Sequence, residues 1–144
     1  MNMLVLDTVN KSIEVLMAAA PATTQPDFTS HYADSTASAF TEGSNDGTLN
    51  GVTAVTLVAA PAASTRRIVR EMVIYNADTV AVNLTVRLKN GASYRVIWKG
   101  TLGVGESWQF SNTDAGGASL DTITLQGADI VAAATTDVGA ATGY

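Results

Sequence analysis

His31 is the only histidine of the chain, and Ser30 and Asp27 stand close enough in sequence to suggest a Ser–His–acid triad. Residues 27–33, DFTSHYA, alternate in the manner of a β-strand. Successive side chains of a strand point to opposite faces, so the side chains of Ser30 and His31 would diverge and would not hydrogen-bond. The 144 residues contain no cysteine, which removes thiolate nucleophiles and cysteine-based metal sites. Nucleophilic catalysis is therefore not expected.

The acidic residues do not have the spacing of a hydrolytic pair or of a calcium loop. Asp46 precedes Gly in an Asn-Asp-Gly turn, where an Asx turn accounts for the carboxylate. Asp114, Asp121, Asp129 and Asp137 recur every seven or eight residues, unlike the ligands of an EF-hand. The chain also has no Walker loop, dinucleotide fingerprint or HExxH motif. The sequence therefore predicts no catalytic, cofactor-binding or metal-binding residue.

Trp98 and Trp108 are the two tryptophans, and such rings can stack on a sugar. Each occupies an alternate position of a strand-like segment, which favours a place on the inward face and in the hydrophobic core. A sugar-binding platform built from Trp98, Trp108 or Tyr94 is the alternative interpretation.

The net charge of −5 is unevenly distributed along the chain. Residues 1–65 and 100–144 each carry a net −5, whereas residues 66–99 carry seven cations and two anions, a net +5. These cations could line the wet side of a sheet, dock on an acidic protein partner or bind nucleic acid. The acidic remainder of the chain offsets their field, so no nucleic-acid partner is expected. The predicted partner-binding residues are Arg66, Arg67, Arg70, Arg87, Lys89, Arg95 and Lys99.

The composition favours β-structure over helix. The chain has 23 Ala, 19 Thr, 15 Val and 12 Gly, and only 15% of its residues are charged. Asp7, Lys11 and Glu14 interrupt any apolar run near the start, and no signal peptide is expected. Residues 47–65 are uncharged over a membrane-spanning length, but they contain Pro61 and several Thr, which indicate strand and loop and predict no membrane partner.

Alternation and turn residues predict a series of short strands. The best defined are Val82–Lys89 and Tyr94–Lys99, which Asn90-Gly91 joins into an antiparallel hairpin. Residues 34–51 are rich in Gly, Asn, Asp and Ser and are predicted to be loop. The other predicted strands are Ser12–Met17, Asp27–Ala33, Val52–Ala59, Arg67–Asn76, Glu106–Phe110, Leu120–Gln126 and Ile130–Ala134.

Seven to eight short strands, frequent turns and no strong helix predict an all-β fold, an antiparallel β-sandwich of jelly-roll-like form. The predicted organisation is an N-terminal arm at residues 1–11, a sandwich domain at 12–127, and a final strand with a C-terminal tail at 128–144. Both ends are expected to be weakly structured.

The alternation also predicts which side chains share a face. Ile68, Met72 and Ile74 are predicted to lie on one side of their strand. In the hairpin, four cations are predicted to project from the face opposite the apolar side chains and to form one basic surface. These cations are Arg87, Lys89, Arg95 and Lys99, and the apolar residues are Leu84, Leu88, Val96 and Trp98.

Residues 61–110 resemble a β-sandwich segment of small accessory structural proteins of tailed bacteriophages. The similarity lies in VIYNAD, in the alternating VNLTVRL, in YRVIWKGTL after a tight turn, and in a Gly-Glu-Ser turn before an aromatic strand. Upstream, KSIEVLMAAA and FTSHYADSTASAFTEGSNDGT also look like the lead-in of such chains. This chain has Gly103 and Gly105 where a Pro-Gly turn is common in the family.

The resemblance implies a virion protein without cofactors. It implies a capsid cement, or decoration, protein on the exterior of the phage head, made in the bacterial cytoplasm. Its partners would be the major capsid protein and further copies of itself, as a homodimer or homotrimer. A tail, neck or fibre module and a carbohydrate- or receptor-binding sandwich on the virion are the alternatives.

Overall fold

The computed structural model describes residues 4–111 and 123–125, which form ten β-strands in two antiparallel sheets. The six-stranded sheet has the order β10-β9-β6-β3-β4, with β1 also paired to β6, and the four-stranded sheet has the order β5-β2-β7-β8. The strands are β1 (Leu4–Leu6), β2 (Lys11–Met17), β3 (Asp27–Ser35), β4 (Phe40–Thr48), β5 (Val55–Val58), β6 (Arg66–Tyr75), β7 (Val82–Asn90), β8 (Ser93–Leu102), β9 (Ser107–Ser111) and β10 (Ile123–Leu125). The predicted all-β antiparallel sandwich is confirmed, with more strands than the seven to eight expected. Its jelly-roll-like form stays a prediction.

The inward side chains of both sheets form one hydrophobic core. Ile13 and Val15 of β2 and Val86 of β7 are fully buried, as their alternation predicts. Trp98 of β8 stacks on Trp108 of β9 with 5.4 Å between ring centroids, which places β8 over β9 across the sandwich. Each fully buried aliphatic side chain of this core stabilises the fold by about 1.5–3 kcal/mol.

The β7–β8 hairpin forms as the sequence predicts. Asn90 pairs with Ser93, so Gly91 and Ala92 are the two central residues of the turn. Gly91 has φ of 62°. A two-residue hairpin turn requires this left-handed conformation, which glycine adopts without steric cost.

Strand β4 is the largest departure from the sequence-based prediction, which made residues 34–51 a loop. All nine residues of β4 pair with β3. Its two glycines lie directly opposite aromatic residues of β3, Gly43 opposite Tyr32 and Gly47 opposite Phe28. A Cβ atom at Gly43 would lie 2.7 Å from the Tyr32 side chain, and one at Gly47 would lie 3.1 Å from the Phe28 ring. The aromatic rings cover the glycines and supply apolar contacts at the two positions of β4 that have no side chain.

A β-bulge in β6 changes which of its side chains face the core. The register with β3 shifts between His31 and Tyr32, which leaves Arg70 as the extra residue of β6. Val69 is consequently fully buried, whereas Ile68 is only half-buried. The prediction that Ile68 shares a face with the buried residues further along β6 is wrong, because a single extra residue reverses the alternation.

Part of the predicted N-terminal arm belongs to the sandwich. Strand β1 lies within residues 1–11, pairs with β6 and buries Leu6 completely. The assignment of these residues to a weakly structured arm is therefore corrected for β1. Strand β10 pairs with β9 inside the strand predicted at 120–126. The strand predicted at Ile130–Ala134 and the tail at 128–144 lie outside the described residues.

A buried carboxylate joins two loops at one end of the sandwich. Asp78, in the β6–β7 loop, is 2% exposed. Its oxygens accept hydrogen bonds from the backbone N–H groups of Ala22, Thr23, Thr24 and Thr79, and from the Thr23 hydroxyl, at 2.7–3.1 Å. Burial alone would raise the pKa of Asp78, but the four backbone donors outweigh it and hold the pKa far below its ordinary value. The ionised side chain therefore fixes the β2–β3 loop against the β6–β7 loop.

Asn76 extends this network to the β8–β9 loop. Its amide nitrogen donates to the backbone carbonyls of Val80, Leu102 and Gly103 at 2.9–3.1 Å, and its backbone carbonyl accepts from the N–H of Gly105. Asn76 is 1% exposed, so water does not reach its polar atoms. These hydrogen bonds within the protein satisfy them instead. Asn76 and Asp78 thus hold the loops at one end of the sandwich together.

Replacing Gly43 with valine is expected to destabilise the protein by about 1–3 kcal/mol, because the new side chain would collide with the Tyr32 ring. Ser44→Val, on the outer face of the same strand, is the matched control and is expected to change stability by less than about 0.5 kcal/mol. Chemical unfolding of both variants measures the difference. An equal effect of the two substitutions would contradict the role assigned to the ring.

The free energy of unfolding is expected to fall as the pH drops from about 5 to about 2, in part through Asp78. A carboxyl whose pKa is lowered by folding contributes stability above its unfolded pKa of about 3.9, and this contribution is lost as acid protonates the folded form. Asp78→Asn is expected to be less stable at neutral pH and to show a shallower loss in acid. Asp46→Asn, which alters an exposed carboxylate, is the control and should follow the wild-type curve. Denaturant unfolding at a series of pH values tests this, and parallel curves for wild type and Asp78→Asn would contradict it.

Candidate functional site

Ser30 lies on the face of β3 opposite to that of His31 and Asp27, the other residues considered for catalysis. Ser30 is fully buried and its hydroxyl donates to the Leu57 carbonyl at 2.6 Å. The side chain of His31 is 54% exposed on the outer face, and its Nδ1 lies 3.4 Å from the Glu71 carboxylate. The predicted divergence of Ser30 and His31 is confirmed. Within residues 4–111 and 123–125, histidine and carboxylate side chains form no group of three that could hold a metal ion.

The two tryptophans lie inside the sandwich. Trp108 is fully buried, and Trp98 is half-buried and stacked against it. The interpretation of both residues as core is confirmed. Tyr94, the remaining member of the possible sugar platform, is 45% exposed, but the guanidinium of Arg87 lies 4.0 Å above its ring.

The seven cations predicted to bind a partner are divided between the two sheets. Arg66, Arg67 and Arg70 belong to β6 of the six-stranded sheet, and the other four belong to β7 and β8 of the four-stranded sheet. The two sheets pack through their inner faces, so their outer faces point in opposite directions. The basic segment of the sequence therefore does not form one continuous surface.

Arg67 is part of the framework of the sandwich. Its guanidinium donates to both oxygens of Asp34 at 2.7 and 2.8 Å and to the Ala59 carbonyl at 2.9 Å, and it lies 3.9 Å from the centre of the Tyr32 ring. Hydrogen bonding to Arg67 lowers the pKa of Asp34, and the same contact raises the pKa of Arg67. Arg67 thus joins β6, β3 and the loop after β5, and it is not available to a partner.

Arg87 is likewise engaged within the protein. Its Nε and one terminal nitrogen contact Oε1 of Glu14 on the neighbouring strand β2 at 2.7 and 2.6 Å. Glu14 is 6% exposed, and Tyr94 covers the guanidinium from the other side. Removing the charge of Arg87 would leave a buried carboxylate without a partner. This arginine therefore supports the surface around it and does not itself reach outward.

A β-bulge in β8 breaks the basic surface that the sequence predicted for the hairpin. Val86 pairs with Trp98, but the next residue of β7, Arg87, pairs with Val96. Ile97 is therefore the extra residue of β8. Directly paired side chains share a face, so Val96 lies on the outer face with Arg87 and is 60% exposed. By the same register, Arg95 pairs with Leu88 and lies on the other side. The prediction that Arg95 shares one face with the other three cations, and that Val96 opposes them, is wrong for these two residues.

What remains on the outer side of the hairpin is a mixed surface, here named the β7–β8 face and defined by Lys89, Tyr94, Val96 and Lys99. Lys89 pairs directly with Tyr94, and Lys99 pairs with Thr85 on the same face. Neither lysine lies within salt-bridge distance of a carboxylate in the described part of the chain. The face therefore presents two available positive charges beside an aromatic and an aliphatic side chain.

An open groove of about 420 Å³ adjoins this face at the hairpin turn. Lys89 is the charged residue among those that line it. The lining residues are Val9, Asn10, Ser12, Thr56, Ala59, Ala60, Lys89 and Gly91. The groove extends the β7–β8 face toward the loop before β2 and adds small and uncharged contact positions.

No protein-family model, characterised protein or solved structure matches this chain. In residues 4–111 and 123–125 there is no apolar helix of membrane-crossing length.

Arg87→Glu is expected to destabilise the protein by about 3 kcal/mol or more, because it would place a second carboxylate beside the buried Glu14. Lys99→Glu makes the same change of charge at an exposed position of the adjacent strand and should alter stability by less than about 0.5 kcal/mol. Equilibrium unfolding in denaturant compares the two. Equal stabilities would mean that Arg87 is a free surface charge.

Proposed function

We propose that this chain is a structural protein of a tailed-bacteriophage virion, and specifically a capsid cement protein. It binds the outside of the phage head and stabilises contacts between subunits of the major capsid protein. The resemblance of residues 61–110 to accessory virion proteins supports this role. The observation on this fold that carries the proposal is the β7–β8 face, a firmly supported surface that combines exposed Tyr94 and Val96 with two lysines that contact no carboxylate of residues 4–111.

The β7–β8 face has the features of a docking surface for an acidic protein. Tyr94 is held in place by Arg87, which is itself fixed by Glu14. An aromatic side chain fixed in this way loses little conformational freedom on binding. Lys89 and Lys99 flank Tyr94 and Val96, an arrangement in which apolar contacts lie at the centre and charges at the rim. The lysines would orient the chain on a negatively charged capsid surface.

The apolar centre would supply more of the affinity than the charges do. Each exposed ion pair contributes only about 0–1 kcal/mol and weakens with salt. Burial of an exposed aromatic or aliphatic side chain contributes about 1.5–3 kcal/mol. Docking is therefore expected to depend on Tyr94 and Val96, with the lysines setting orientation and the rate of association.

The copy number of the protein in purified particles tests the location. A cement protein is expected in a number comparable to that of the major capsid protein, with density on the outer surface of the head in particle images. Six or twelve copies per particle would contradict the proposal and would support a tail, neck or fibre module instead.

The double variant Lys89→Glu with Val96→Glu is expected to bind at least about tenfold more weakly to particles stripped of this protein, a change of about 1.4 kcal/mol. It reverses one charge of the β7–β8 face and places a second charge at its apolar centre. Quantitative binding of purified protein to stripped particles measures the change.

Arg70→Glu with Val52→Glu is the matched control. It makes the same kinds of substitution at exposed positions of β6 and of the β4–β5 loop, away from the β7–β8 face. This variant should bind like wild type. Equal weakening of both double variants, or of neither, would contradict the assignment of the docking face.

A further inference from the structure

Two edge strands on opposite sides of the sandwich carry exposed charges of opposite sign that have no partner among the residues that the structure describes. Most buried or half-buried carboxylates of the described residues accept hydrogen bonds or contact a cation, as Glu14, Asp34 and Asp78 do. Glu42 and Asp46 make no such contact to the part of the chain that the structure describes, and both are exposed on β4. Strand β4 is the last strand of the six-stranded sheet.

The opposite edge carries the complementary charges. Strand β8 is the last strand of the four-stranded sheet and bears Arg95 and Lys99, both exposed. Neither lies within salt-bridge distance of a carboxylate among residues 4–111 and 123–125. Trp98 stacks over Trp108, so β8 lies above β9, at the side of the sandwich away from β4. The molecule therefore has an acidic edge strand on one side and a basic edge strand on the other.

We propose that β8 of one copy pairs with β4 of a second copy, so that the chain associates head to tail through its edges. The two strands match in length, nine residues in β4 and ten in β8. Among the residues that the structure describes, no strand pairs with the outer edge of β4 or of β8. Such an edge presents a row of backbone N–H and C=O groups that a second strand can satisfy. Glu42 and Asp46, which share the outer face of β4, would then lie on the same side of the joined sheet as Lys99 of the next copy, and Arg95 would lie at the same edge on the other side.

The charges select this contact over the symmetric ones. Pairing β4 with β4 of another copy would bring four carboxylates together, and pairing β8 with β8 would bring four cations together. Like charges on directly opposite strands are destabilising, whereas opposite charges attract. The two edges differ, so the association is heterologous, and each copy keeps one acidic and one basic edge available for the next.

The fold also makes β4 rigid enough to serve as a template. The rings of Tyr32 and Phe28 cover its glycines, and the Asn45 side chain donates to the Thr56 and Leu57 carbonyls of β5 at 3.3 Å. These contacts hold the inner side of β4 against both sheets. Its outer edge is left extended over nine residues, and little backbone order has to be gained on pairing.

Charges on edge strands can also serve only to prevent association between edges. The two explanations predict opposite results for the purified full-length chain without particles, so this proposal and the proposed function can fail separately. Head-to-tail pairing predicts a concentration-dependent assembly in sedimentation velocity. It also predicts that the assembly weakens when salt is raised from about 0.1 M to about 1 M, since the screening length falls from about 10 Å to about 3 Å.

Charge reversal on each edge, followed by mixing, is the decisive experiment. Glu42→Lys with Asp46→Lys makes both edges basic, and Arg95→Glu with Lys99→Glu makes both edges acidic. Each double variant alone is expected to show a dissociation constant at least about tenfold higher than wild type, because only like-charged edges can meet. An equimolar mixture of the two is expected to restore assembly, which also shows that both variants are folded. Arg66→Glu with Arg70→Glu, the same change of net charge on β6, should assemble like wild type.

Three results would overturn the proposal. A wild-type chain that stays monomeric at every concentration would show that the edge charges only prevent association. Assembly of the Glu42→Lys, Asp46→Lys variant at wild-type strength would mean that β8 pairs with something other than β4. Failure of the mixture to assemble, with both variants folded by circular dichroism, would mean that the opposite charges do not meet across an interface.

Discussion

The arrangement of loops at one end of the sandwich depends on the ionised side chain of Asp78. A buried carboxylate is tolerated only when donors replace the water it has lost. Here five donors do so, four of them backbone N–H groups. Because the donors belong to the β2–β3 and β6–β7 loops, satisfying one charge fixes two connections that come from distant parts of the sequence. Asn76 transmits the constraint to the loop before β9, and with it to the strand that carries Trp108.

The same requirement for a partner decides which surface charges remain available for binding. Arg67 and Arg87 look in the sequence like their neighbours, but each is held by a carboxylate and by an aromatic ring. Their charges are used to join strands, so these two cations are not available to a partner. A segment rich in charge can therefore fold into surfaces that carry less charge than the sequence indicates. This happens where its strands belong to two different sheets and some of its charges are paired within the protein.

The sequence predicts the strands whose burial follows from their own residues. In β7 the apolar positions alternate without interruption, in β2 Ile13, Val15 and Met17 recur at every second position, and both strands form where this spacing places them. It does not predict β4, because the apolar groups that cover Gly43 and Gly47 belong to Tyr32 and Phe28 on another strand. Nor does it reveal the Asn76–Asp78 network. Some of the donors to Asp78, such as the N–H groups of Ala22 and Thr23, lie more than fifty residues away from it in the sequence. An Asn-x-Asp triplet directly after a strand was the available signal, and it indicates a turn but not its partners.

The candidate docking face was predicted only in part, and the reason lies in the core. Ile97 and Trp98 both pack inward, which two successive residues can do only at a bulge. Trp98 stacks on Trp108 and its ring covers Gly100 of its own strand, so the packing of one large ring fixes where the extra residue falls. Beyond that point every side chain of β8 changes face, which carries Val96 outward and Arg95 inward. The packing of a large ring on the inner side of the sandwich thus decides which side chains of β8 face outward. Strict alternation cannot predict this, because it does not predict the position of a bulge.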